Sequence, residues 1–152
     1  AAIIALANIS IDSTSQLPSS ELEKRRMSYF FHDSLTELYN EDYLQTLLNT
    51  TNHQFKSLTI IELRKFTDFN KKHGWEEGNE KIKSFAKFLN KLLPESTIVR
   101  FHGDDFIVLN KYHLKINEET LSSFEQIDKI TFATRTHEID EYFDFKKLQT
   151  IL

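Results

Sequence analysis

The sequence predicts an α+β fold, a central and mostly antiparallel sheet with packed helices, preceded by an N-terminal linker helix. Three observations predict it. Residues 97–101 and 106–109 are β-branched and aromatic runs separated by a short polar turn, which reads as an antiparallel hairpin. Ile82, Phe85, Ala86 and Leu89 recur at helical spacing just ahead of Pro94, so a long amphipathic helix leads into that hairpin. The whole series runs strand, helices, hairpin, helix, strand, the order expected when helices pack against one face of an antiparallel sheet.

Each element has its own signal. Residues 1–17 read as the end of a helix from a preceding domain, with Ile4, Ala7, Asn8 and Ile11 on one face, and Pro18 interrupts it. The linker helix starts at Ser19 or Ser20, either of which can cap it, and places Glu21 ahead of Lys24, Arg25 and Arg26 as the helix dipole favours. Tyr43, Leu44, Leu47 and Leu48 mark a helix over 41–48, closed by the polar run Asn49 to Asn52. Residues 57–63 form a strand, 66–73 a short helix that Gly74 stops, and 79–93 the long helix. After the hairpin, a polar-capped helix is expected over 117–127, a strand over 130–136, and the start of a further helix from Phe145. The domain division that follows is 1–31 for the N-terminal extension and linker helix and 32–152 for the main domain, whose C-terminal part is expected to continue beyond Leu152.

Bulk properties bound the function. A chain of 152 residues, 39% hydrophobic and 28% charged, falls in the globular class and can bury one core. A net charge of −4 with no basic stripe speaks against coating nucleic acid. No cysteine is present, so disulfides and thiolate zinc sites are excluded, and the six histidines stand too far apart in sequence for a helical zinc pair. Three glycines leave no glycine-rich phosphate loop. No run is long enough to span a bilayer, and no membrane contact is expected of this segment. The lack of an initiator Met is what a fragment of a longer protein would show.

The turn at His102-Gly103-Asp104-Asp105-Phe106 sets two adjacent carboxylates beside a glycine at a hairpin tip, a place to hold a metal ion. Upstream stand Asp33-x-Leu35-Thr36-x-Leu38-Tyr39-Asn40, the run Ile60-Ile61-Glu62-Leu63-Arg64-Lys65-Phe66, and Asn70 followed by Gly74 and Gly78-Asn79. In this order and spacing the segments resemble the GGDEF domain family of diguanylate cyclases, over roughly residues 30 to 152. The resemblance implies a nucleotidyl cyclase-like sheet with a ferredoxin-like core.

The resemblance also assigns roles. Glu62 and Asp104, facing each other across neighbouring strands, fall on the metal-ligand positions, for which Mg2+ is the implied ion. Asp105 falls on the catalytic acid that helps deprotonate the attacking hydroxyl when two GTP molecules condense to cyclic di-GMP. Asn70 and Asn79 fall on the guanine-reading positions, and the backbone at Lys65 and Phe66 on the stretch that cradles phosphates at a helix start.

Departures from the family pattern converge on the catalytic end. Glu62 stands for an aspartate, Arg64 puts a cation where a second acid is usual, Asp105 is one methylene short, His102 replaces a small residue, and Asn79 replaces the guanine-accepting aspartate. Leu93 and Ser96 occupy the positions of the product-inhibition Arg and Asp, and the family's phosphate-gripping Lys and Arg would lie on a helix after Leu152. A misplacement of about 1 Å can cost on the order of a hundredfold in rate, so these changes together predict impaired cyclisation. The expected function is a degenerate regulatory or GTP-sensing domain of a bacterial cyclic di-GMP protein, cytoplasmic and joined to sensory or output neighbours such as an EAL phosphodiesterase. A weak cyclase acting as a homodimer and a dimerisation module without ligand are the alternatives.

Overall fold

The computed structural model describes residues 19–124 and 130–152. The helix end expected over 1–17 lies outside the described residues. Two compact units divide the chain, one ending at Phe30 and the other spanning Phe31–Leu152. In the first, helix α1 covers Ser19–Phe31 with Glu21 in its opening turn and no basic residue in its last.

The second unit begins with a loop built from the Asp33-to-Asn40 motif. Asp33 accepts from the Thr36 backbone N–H (2.9 Å) and hydroxyl (2.8 Å), which folds the chain back on itself. Leu38 then drops into the core, Tyr39 bridges to Val99, and Asn40 caps the next helix by accepting from Tyr43 N–H at 3.1 Å. Helices α2 (Glu41–Leu48), α3 (Phe66–His73), α4 (Trp75–Leu92), α5 (Glu118–Leu121) and α6 (Phe145–Ile151) surround strands β1 (Ser57–Arg64), β2 (Thr97–Phe101), β3 (Asp105–Asn110) and β4 (Thr131–Glu138). The strands form one sheet in the order β2-β3-β1-β4, with every neighbouring pair antiparallel. That is the predicted fold class.

Several boundaries differ from expectation. Helix α4 starts at Trp75, four residues before the expected Asn79, because Gly74 (φ 88°) closes α3 and opens α4 in the same step, and Glu76 and Glu77 suit a first turn. Helix α5 ends at Leu121, short of the expected Ile127: residues 122–124 form a turn, and 125–129 lie outside the described residues. Strand β4 runs to Glu138, two residues past the expected end, since each added residue keeps its partner on β1.

Helices cover both faces of the sheet rather than one. Ile61, Leu63, Phe106 and Val108 pack with residues of α3, α4 and α5, whereas Leu58, Ile60, Ile107 and Leu109 pack with Leu44 and Leu48 of α2 and Phe145 and Leu148 of α6. The central strands are therefore buried on both sides and read as continuous apolar runs without alternation. Phe85 of α4 anchors the first layer, meeting Phe106 and Phe124 edge-on at 5.1 and 5.2 Å and stacking on Phe132 at 5.2 Å. The phenylalanines at 85 and 106 are core residues, as their apolar patterns predict. No described helix is long and apolar enough to cross a membrane.

Candidate functional site

The β2–β3 hairpin delivers the two aspartates to one end of the sheet. His102 (φ 50°) and Gly103 (φ 65°) both adopt left-handed backbone, the pair of conformations a tight hairpin turn needs. Glycine meets that demand freely, while histidine holds it at a cost of roughly 1 kcal/mol. Asp105 N–H closes the turn on the His102 carbonyl at 3.2 Å. His102 itself is largely exposed, with Nε2 3.7 Å from Glu41 at the start of α2.

The register sets the carboxylates. Glu62 of β1 lies directly opposite Asp105 of β3, not opposite Asp104 as expected, because β3 begins only at Asp105, so Glu62 and Asp105 share a face of the sheet. Asp104 sits in the turn one residue earlier, and its carbonyl accepts from Leu63 N–H at 3.2 Å. Burial pushes the Asp105 carboxyl up to about 6, reinforced by the negative charges of Asp104 and Glu62 and opposed by His102 and Arg135. Burial also raises Asp104, with Glu62 adding to the rise and Arg100 opposing it. Three acids thus repel one another at one end of the sheet.

Arginines from outside the predicted set hold this end. Arg100, three residues before Gly103 in the turn's own hairpin, donates Nε to the Gly103 carbonyl (2.7 Å) and Nη1 to Asp33 Oδ2 (3.1 Å) and Oδ1 (3.3 Å). Both side chains of that pair are about one-fifth exposed, 18% and 22%. Arg135 of β4 donates to the Ile151 carbonyl at 2.7 Å and counts among the charges felt by Asp105. On the neighbouring strand β4, Thr134 donates its hydroxyl and N–H to Glu118, which with the more distant charge of Arg64 holds that carboxyl below its ordinary value. Arg64 itself is exposed at the end of β1. Arg100 was visible as a charged residue in an apolar strand, but its charged partner comes from the distant loop at Asp33.

A second cluster forms at the α3–α4 corner. Lys65 caps α3 in left-handed geometry (φ 64°) with no side-chain cap bond and an exposed side chain, while Phe66 is buried against Phe69. Phe66 can therefore offer a ligand only its backbone. Asn70 lies against Gly78: a β-carbon placed on Gly78 would overlap Asn70 Oδ1 and come within 2.9 Å of its Cγ. That Oδ1 is buried and without a hydrogen-bond partner. Asn79, next along α4, is exposed. The sequence named both asparagines; the close approach that seats Asn70 needed the helix packing to be seen.

Cation chemistry can be tested on these residues. Mg2+ commonly takes one or two carboxylates and completes its shell with water and phosphate oxygens. Glu62 and Asp104 supply the donor type such a site uses, and the mutual repulsion of the acids at this end of the sheet is what a bound cation would relieve. Among the described residues no three His, Cys, Asp or Glu side chains come together in ligand geometry. Cavities of about 810 and 660 Å³ lie at the opposite end of the sheet, around Asn49, Asn52, His53 and Lys111. Nothing in the sequence pointed to them.

Residues 30–143 match the family model described as diguanylate cyclase, GGDEF domain. Solved structures share the fold at low identity. The coiled coil and GGDEF domain of DgcB from Caulobacter crescentus, in complex with c-di-GMP, matches with TM-score 0.66 and 19% identity over 86% of this chain and 80% of that one. Diguanylate cyclase SiaD from Pseudomonas aeruginosa, in complex with its activator SiaC, gives TM-score 0.67 and 19% identity over 87% of this chain and 58% of that one. The S helix-GGDEF-EAL portion of Vibrio cholerae LapD, bound to c-di-GMP, gives TM-score 0.58 and 15% identity over 76% of this chain and 30% of that one. Among curated protein sequences none matches.

Proposed function

The chain belongs to the GGDEF domain family, and from that premise we propose that it is a regulatory, GTP-sensing domain of a cyclic di-GMP signalling protein in which cyclisation is impaired. The observation that carries the reading is the signature turn. It keeps Gly103 and Asp104 but holds His102 in strained left-handed backbone and offers a shortened Asp105 whose carboxyl is raised to about 6. A base must reach the attacking hydroxyl in its ionised form and at hydrogen-bond distance, and the shorter side chain works against the second condition.

The nucleotide face supports the binding half of the proposal. Asn70 and Asn79 can donate and accept along a purine edge, and the first amides of α3 behind Lys65 and Phe66 suit phosphate. Glu62 and Asp104 would hold the divalent cation, which when bound neutralises phosphate charge. The segment 1–31 would carry a sensory input to the site, and the output is then the occupancy of the site, read by a neighbouring domain such as an EAL phosphodiesterase. Such a domain works in the cytoplasm, where GTP and cyclic di-GMP are found.

Calorimetric titration of the full-length protein with GTP, with and without Mg2+, tests this, followed by a product assay. Mg2+-dependent micromolar binding without cyclic di-GMP formation is expected. Product formation would make the protein a weak cyclase, and no binding in either condition would leave a dimerisation module.

A further inference from the structure

We propose that Trp75 is the stacking wall of the base site and that this site accepts guanine and adenine nucleotides with similar affinity. The inference rests on the reading of Asn70 and Asn79 as a nucleobase face and says how that face works in this chain.

Trp75 is the single tryptophan and opens α4 with 76% of its surface exposed. Core formation does not use it. One helical turn later stands Asn79, and residues four apart on a helix are neighbours on one face. Gly78, buried between them, presents no side chain, and the Asn70 amide closes on it from α3. The corner thus carries an exposed amide on α4, an indole one helical turn before it, and the Asn70 amide packed on Gly78 behind them. Asn70 Oδ1 is buried against Gly78 without a partner, and turning that amide outward would release it to a nucleobase. Other exposed rings of the second unit, Tyr112 and Tyr142, lie toward the far end of the sheet.

The base preference follows from the same atoms. A carboxylate can only accept, which suits the N1–H and N2–H donors of guanine, whereas an amide both donates and accepts and can match adenine as well. With asparagine at 70 and 79 neither of the two base-reading side chains is restricted to accepting. Affinity then comes from the π-face, which every purine has, and base–aromatic stacking contributes several-fold to about a hundredfold in affinity.

The lone indole is its own reporter. GTP and ATP, each with Mg2+, are titrated into the full chain by calorimetry and by Trp75 fluorescence, and the titrations are repeated on Trp75→Ala, Trp75→Phe and Asn79→Asp. The expected result is fluorescence quenching, dissociation constants for GTP and ATP within about threefold, roughly tenfold weakening in Trp75→Ala with recovery in Trp75→Phe, and a roughly tenfold preference for GTP in Asn79→Asp. GTP binding seen by calorimetry with unchanged fluorescence and normal affinity in Trp75→Ala would overturn the stacking role while leaving a GTP-binding domain. Strong preference for GTP in the parent would overturn the relaxed specificity. Binding of neither nucleotide would overturn both this inference and the GTP-sensing function.

Discussion

Replacing Arg100 with alanine should unlatch the signature hairpin from the loop that precedes α2. The guanidinium joins three acceptors, Asp33 Oδ1 and Oδ2 at 3.3 and 3.1 Å and the Gly103 carbonyl at 2.7 Å. Breaking a fully buried pair costs about 3–5 kcal/mol and an exposed one about 0–1. With 18% and 22% exposure the pair lies nearer the buried limit, and Asp33 keeps its two bonds from Thr36, so a loss of about 2–3 kcal/mol is expected. Urea denaturation at neutral pH measures it. The pH dependence has a definite sign. The hydrogen bonds and charge around Asp33 outweigh burial and hold its carboxyl below the usual range, so its contribution is complete above the unfolded value near 4 and is lost as pH falls through the lower folded value. The penalty of Arg100→Ala should shrink with it. A penalty under about 0.5 kcal/mol at pH 7, or one that persists unchanged when Asp33 is protonated, would refute the reasoning.

The other predictions concern the two ends of the site. His102→Gly should raise stability by about 0.5–1 kcal/mol in urea, because glycine adopts the left-handed turn without strain and pays back only part of that in unfolded-state entropy. Asp105→Asn should raise the thermal midpoint at pH 7.5 and leave it unchanged at pH 4. A carboxyl raised to about 6 is penalised only once ionised, so its cost is absent below the unfolded value near 4 and complete above 6. Gly78→Ala should change stability by less than about 1 kcal/mol, helix propensity offsetting the displaced Asn70, yet weaken GTP binding measured by calorimetry; retained affinity would show that the seat of Asn70 is irrelevant. Phe85→Ala should cost about 3–5 kcal/mol by chemical denaturation, since its ring meets four other phenylalanines and is fully buried.

Legibility in the sequence tracked how local the physics was. The hairpin at 97–110 was readable because its apolar runs and its turn lie within a few residues of one another. The helix at 41–48 was readable from the spacing of Tyr43, Leu44, Leu47 and Leu48, and the cap bond from Asn40 shows how local its start is. Helix α4 began early because Gly74 does two jobs, and a glycine signals a break without saying what resumes after it. Coverage of both sheet faces was hidden in plain view, since Leu58 to Ile61 and Phe106 to Leu109 do not alternate. At the site, the acids and asparagines were nameable singly. The partners that tune them, Arg100 with Asp33, Arg135 with Asp105 and Gly78 with Asn70, are fixed by register and helix packing across 8 to 67 residues of chain and could not be read beforehand.

The strand order has a kinetic side. Phe101 meets Asp105 across a turn of three residues, so β2 and β3 can zip as soon as both exist. Arg64 meets Thr131 only after the intervening helices and hairpin have closed on themselves, a loop whose entropy must be met before any β1–β4 contact returns it. Until that last strand docks, one edge of β1 stands open along Leu58, Ile60 and Ile61 with its backbone donors and acceptors unpaired. A slow-closing edge of that kind is where a nascent chain is most exposed to pairing with another copy of itself.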